Sequence, residues 1–134
     1  MSSPLPAVPS FDRFQDNSAL KGREEKFLVL DIKVAPVLAS WQESIFAHEW
    51  LTSDGQIRKM SDMTDKVQAR RKDIEKLILG NAPLERPVLG IGILDNIEIG
   101  AGKDLFLSLA ALGMSTIPVH IPRSHENDFR MFIR

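Results

Sequence analysis

Four consecutive residues, Gly100-Ala101-Gly102-Lys103, have the composition of a small anion cradle. Successive backbone N–H groups in a glycine turn that opens a helix form a nest for an anion, and the helix dipole favours negative charge there. Lys103 adds a point positive charge. The spacing is not that of a Walker A loop, which needs four residues between its glycines and a Ser or Thr after the lysine. Gly100, Ala101, Gly102 and Lys103 are therefore candidates for nucleotide or phosphate binding. The competing reading is a tight strand-to-helix turn in which Asp104 complements the dipole.

Two carboxylates, Glu98 and Asp104, flank that turn. Hard divalent cations take carboxylate oxygens, so the pair would suit Mg²⁺ and metal-assisted chemistry on a phosphodiester or nucleotide such as ATP or CTP. Paired carboxylates beside a glycine turn also occur without any metal. His120 is a candidate for proton transfer and Arg123 for phosphate contact, because both stand at the end of a strand, where a rigid scaffold presents functional loops. His120 also reads, somewhat more readily, as a satisfied sheet histidine. His48, His120 and His125 do not have the spacing of a zinc site. Lys66, Arg70, Arg71 and Lys72 gather on one segment, but Asp62, Asp65, Asp73 and Glu75 are interleaved with them. That pattern favours a solvated face with local ion pairs over a surface for phosphate backbone.

The elements that must position these residues follow from hydrophobic periodicity. Lys26 to Val34 is mostly apolar with β-branched residues and reads as a strand buried on both faces, ended by Pro36. Residues 61–79 have Met60, Met63, Val67, Ile74, Leu77 and Ile78 on one face and read as a helix. Ser61 or Asp62 would cap its start, and Gly80 would stand as a C′ glycine at its end. Pro87 to Leu94 reads as a second strand. Asp95-Asn96 turns the chain, so that Ile97-Glu98-Ile99 returns antiparallel to it. A helix follows from about Lys103 to Leu112, with Gly113 as its stop, and then a strand over Ser115–Pro122. The tail after Pro122 suits a short helix or an edge strand. Between the first strand and first long helix, residues 35–58 support two readings. One is a helix from Trp41 to about Leu51 capped by Ser40; the other is a hairpin around Asp54-Gly55, with strands at 45–51 and 56–60.

The chain of 134 residues suits one domain, which at this size buries enough surface to need no covalent staples. Residues 1–25, rich in Pro, Ser and charge, read as a flexible arm that Phe11 and Phe14 tack onto a body at 26–134. With no cysteine, disulfides, thiolate metal sites and cysteine nucleophiles are excluded. The absence of cysteine suits a reducing cytoplasm. A net charge of -1 from 17 basic and 18 acidic residues gives no bulk argument for a nucleic-acid or membrane partner. No apolar run approaches the roughly 18 residues of a membrane helix.

The order strand, helix, strand, short strand, glycine turn, helix, strand resembles the ParB/sulfiredoxin-like fold. The residues that carry the likeness are Ile97-Glu98-Ile99, Gly102, Leu109-Ala110-Ala111, Gly113 and Thr116-Ile117-Pro118-Val119-His120-Ile121. The helix at 61–79 with Pro87 beyond it also fits, and the likeness covers about Phe27 to Pro122. In general layout it looks most like the plasmid fertility-inhibition (Osa-like) group. The resemblance implies an α/β domain with a small mixed sheet. It also implies a DNA- or nucleotide-associated protein of plasmid or mobile-element type, with nuclease or NTPase chemistry. The family's active turn carries arginine after the glycine; here the positions are Lys103, Asp104 and Leu105. A Leu cannot hold phosphate and an Asp repels it. That departure implies the alternative, a degenerate, non-catalytic member that binds a protein partner as an inhibitor or adaptor.

Overall fold

The computed structural model describes residues 8–133. Among these residues the nine regular elements are β1 (Phe14–Gln15), β2 (Phe27–Lys33), α1 (Val34–Trp41), α2 (Asp65–Leu79), β3 (Leu84–Glu85), β4 (Leu89–Ile91), β5 (Ile97–Ile99), α3 (Lys103–Ala111) and β6 (Thr116–Pro122), joined by 3₁₀ turns. The domain is a small mixed α/β unit. β2 runs antiparallel to β6, with Leu30 opposite Val119, and β4 pairs antiparallel with β5. A single parallel bridge between Val88 and His120 joins these two ladders, supported by the His120 N–H donating to the Pro87 carbonyl. The two-residue β1 pairs parallel with β3.

The expected double burial of β2 is not realised. Ile32 is buried and Leu28 and Leu30 are partly buried, while Val29, Asp31 and Lys33 on the alternate face are exposed. The strand lies at the margin of its ladder, and its only other partner among the described residues is a one-residue bridge from Ile32 to Ile133. β6, which does run between two neighbours, is buried from Ile117 to Ile121.

Residues 35–58 take parts of both readings. The helix comes earlier than expected: α1 starts at Val34, directly after β2, and ends at Trp41. Pro36 sits in its first turn, where the missing N–H would have no helical acceptor. Ser40 therefore caps nothing; its hydroxyl instead accepts the Ile97 N–H at 2.8 Å. A turn with Gly55 at φ 82 then brings Leu51 opposite Ile57 in a one-residue antiparallel bridge, a remnant of the hairpin. Trp41 and Trp50 fall on either side of the irregular connection, and both are fully buried.

The start of α2 also shifts. Met60–Asp62 forms a 3₁₀ turn, and Thr64 rather than Ser61 or Asp62 is the cap, its hydroxyl accepting from the Val67 N–H. Gly80 ends the helix with φ -76, not with left-handed backbone. Arg13 explains why none is needed. Its guanidinium donates to the carbonyls of Leu77 at 2.7 Å, Ile78 at 2.6 Å and Ala82 at 2.9 Å. It thereby supplies a donor to the Ile78 carbonyl and a further one to Leu77, and places positive charge against the negative end of the helix dipole.

Arg13 belongs to the segment expected as an arm. From Val8 onward that segment is docked: Phe14 and Leu20 are buried, and β1 pairs with β3. The proline-rich start, residues 1–7, lies outside the described residues. The tail after β6 forms 3₁₀ turns over Arg123–His125 and Asn127–Phe132, anchored by buried Phe129. Among the described residues no helix is long and apolar enough to cross a membrane.

Candidate functional site

The Gly100–Lys103 turn connects β5 to α3 and is built as tightly as its sequence requires. Gly102 has φ 83, a conformation that favours glycine, and a Cβ there would lie 3.0 Å from the Pro87 Cα. The turn is tied to Val88, the residue just before β4. The Gly100 N–H donates to the Val88 carbonyl, and the Val88 N–H donates to the Ala101 carbonyl, each at 2.8 Å. The Lys103 N–H is spent on the Gly100 carbonyl. Among the described residues only the Ala101 and Gly102 N–H groups of this turn lack a protein acceptor. They adjoin a cleft of about 450 Å³ that Gln15, Asn17, Leu77 and Glu85 also line.

The charged candidates are drawn away from the turn. Lys103 places its Nζ 5.3 Å from the centre of the Phe46 ring, a cation–π contact. Asp104 pairs with Arg70 at 3.5 Å, and Arg70 also reaches Glu49 at 3.8 Å. Glu98 leans over Gly92, where a Cβ would meet its Cγ at 2.8 Å, and its Oε2 accepts from the Asn96 amide at 3.0 Å. Glu98 and Asp104 thus have separate partners. Among the described residues no group of three or more His, Asp or Glu is placed to hold a metal ion. Arg123 donates its Nε to the Glu25 carbonyl at 2.6 Å and clamps the start of β2 to the end of β6.

His120 is 3 % exposed, in the middle of the sheet. Its Nε2 accepts the Asn17 N–H at 3.2 Å, so the neutral ring carries its proton on Nδ1. Burial holds its pKa below the ordinary 6.5; the neighbouring Arg86 guanidinium lowers it further, and Asp16 opposes them. In this position the ring fastens the N-terminal segment through Nε2. Asn17 completes the clasp, its Nδ2 donating to the Arg86 carbonyl at 2.9 Å while Arg86 pairs with Asp16 at 2.7 Å.

Of the basic residues of α2, Arg70 and Arg71 are committed to the fold, while Lys66 and Lys72 are exposed. Arg71 lies over the Trp50 ring at 5.8 Å and donates to the Arg58 carbonyl. His48 is exposed, its Nδ1 2.9 Å from the Ile45 carbonyl.

A surface that the sequence does not single out is assembled nearby. The β4–β5 hairpin tip and the loop after α1 enclose a concavity of about 270 Å³ lined by Ile45, Phe46, Ile93 and Leu94. Ile93 is fully exposed, and Ile45, Leu94 and Phe46 are 77 %, 65 % and 52 % exposed. Single exposed apolar residues are ordinary; four large ones around one concavity are a mark of an interaction surface. The hairpin tip is a fixed element: Asp95 adopts φ 59, and Gly92 and Asn96 are joined by a 2.7 Å backbone bond. The signal available in the sequence was Ile93-Leu94 standing immediately before a turn, where polar residues are the norm.

No family model matches this chain, and neither a curated protein nor a solved structure matches it.

Proposed function

We propose that this chain is a non-catalytic protein-binding domain on a ParB/sulfiredoxin-like layout, an inhibitor or adaptor that acts through the Ile45, Phe46, Ile93 and Leu94 surface. The observation that carries the reading is that exposed apolar concavity. The fate of the candidate catalytic groups agrees with it. His120 is buried and hydrogen-bonded, Asp104 pairs with Arg70 through Oδ2, and Arg123 uses its Nε on a backbone carbonyl. The run of β5, glycine turn, α3, Gly113 and β6 supports the ParB/sulfiredoxin-like layout.

The test is a photo-crosslinking residue at position 93, compared with one at exposed Asp54, in an extract of the native cells. The expected result is a discrete crosslinked protein from position 93 alone. That protein, once purified, binds wild type and loses at least tenfold in affinity to Ile93→Asp, a loss of about 1.4 kcal/mol. Equal crosslinking from both positions, or unchanged affinity for Ile93→Asp, would overturn the proposal.

One observation favours a second reading, a phosphate or nucleotide at the glycine turn. The Ala101 and Gly102 N–H groups are unpartnered among the described residues and adjoin the 450 Å³ cleft. The Glu85 carboxylate lines the same cleft, and Asp104 stands in the first turn of α3. Both charges oppose a phosphate there, which weighs for the protein-binding reading.

A further inference from the structure

The chemistry around the apolar concavity narrows what it binds, if the protein-binding reading holds. Glu43 and Glu98 line the concavity beside the four apolar side chains. Asp95 stands exposed next to Leu94 at the hairpin tip. Among the described residues, neither Glu43 nor Asp95 makes a side-chain hydrogen bond or ion pair, and Glu98 uses only one oxygen, on Asn96. Carboxylates elsewhere, such as Asp16, Glu49 and Asp104, have arginine partners. Among the described residues the one cation against this surface is Lys103, held over the Phe46 ring. The rim is therefore acidic and its charge unspent.

Backbone geometry limits the form of the ligand. A peptide cannot readily add as a strand beside β5, because the outward Ile97 N–H is already taken by the Ser40 hydroxyl and α1 packs against that strand. What the surface offers is a short apolar hollow with an acidic margin, which suits anchors spaced three or four residues apart on one face of a helix.

We infer that the surface takes a basic amphipathic helix of a partner protein. Its apolar side chains would enter the hollow between Phe46 and Leu94, and its Lys or Arg residues would lie against Glu43, Asp95 and Glu98. Opposite charges at such a rim set specificity and association rate more than total affinity.

Three labelled peptides of about 15 residues test this by fluorescence anisotropy: an amphipathic Leu/Lys helix, a Leu/Glu helix with the same leucine pattern, and a Ser/Lys peptide lacking the leucines. The Leu/Lys peptide should bind wild type at least tenfold more tightly than either of the others. Ile93→Asp should abolish that binding. The double variant Glu43→Lys with Asp95→Lys should reverse the preference towards Leu/Glu. All substituted positions are exposed, and unchanged circular dichroism and melting confirm folding. Equal binding of the Leu/Lys and Leu/Glu peptides, both lost in Ile93→Asp, would overturn the basic ligand while leaving the docking surface intact. Binding of Ser/Lys as tight as Leu/Lys would overturn the apolar anchors. No binding of any peptide, or a wild-type dimer that Ile93→Asp dissociates in sedimentation, would also overturn the inference, the last in favour of a second copy of this chain.

Discussion

The Asn17 N–H donates to His120 Nε2 across 3.2 Å, joining residues 103 positions apart in the chain. The bond requires a neutral imidazole, since a protonated ring has no acceptor. Arg86 and Asp16 are the charges that act on that ring.

This gives a pH dependence with a definite sign. The folded pKa of His120 lies below the ordinary 6.5, so around and below pH 6.5 the unfolded chain binds more protons and stability rises with pH. The contribution is complete above the unfolded value. It is lost as pH falls from 6.5 towards the lowered folded value. Urea melts between pH 8 and 5 should show this loss in wild type and a flatter profile in His120→Gln, which keeps an acceptor but does not titrate. Identical slopes for the two proteins would remove His120 as the cause.

The close approach of the glycine turn to Pro87 predicts a difference between two glycines. Gly102 and Gly113 both have positive φ, at 83 and 95, but a Cβ at Gly113 meets nothing within 4 Å. Gly113→Ala should cost about 1–2 kcal/mol for conformation alone. Gly102→Ala should cost more, because its methyl group also presses on Pro87. Equal midpoints in chemical denaturation would mean that the segment holding Pro87, just before β4, gives way freely.

Arg13 should act as a helix cap supplied from a distant part of the sequence. Removing a charged donor from the end of α2 in Arg13→Ala should cost on the order of 2 kcal/mol. Amide exchange should accelerate in the last turn of the helix. Arg13→Lys should restore little, because a single ammonium cannot span the three carbonyls that the planar guanidinium reaches. Exchange unchanged in both variants would show that the helix end is held by packing alone.

For the glycine turn, calorimetric titration with ATP or CTP, with and without Mg²⁺, should give no binding at millimolar ligand. The expected outcome is the same for wild type and Lys103→Ala. Wild-type binding that Lys103→Ala weakens tenfold, or about 1.4 kcal/mol, would instead place a phosphate at Gly100 to Lys103 and revive the nucleotide reading.

Much of the architecture was legible locally. The β4–β5 hairpin, the turn at Gly100–Lys103, α3 and the strand at Thr116–Pro122 follow from periodicity and turn residues only a few positions apart. The stop of α2 at Gly80 was legible too, but not its mechanism, because the group that donates to the Leu77 and Ile78 carbonyls is Arg13, more than sixty residues earlier.

The sequence by itself determined the alternation of apolar residues, the stop of α3 at Gly113, and the lack of thiol chemistry. Tertiary structure decided everything that depends on which remote group meets which side chain. It turned His120 into a buried acceptor, sent Lys103 to Phe46 and Asp104 to Arg70, and split residues 35–58 between an early helix and a one-residue bridge. It also brought Ile45 and Phe46 beside Ile93 and Leu94, residues almost fifty positions apart in the chain. The physical reason is range. Backbone preference and periodicity act over a few residues, whereas burial, ion pairing and the shape of a surface are set by chain segments that meet only in the folded state.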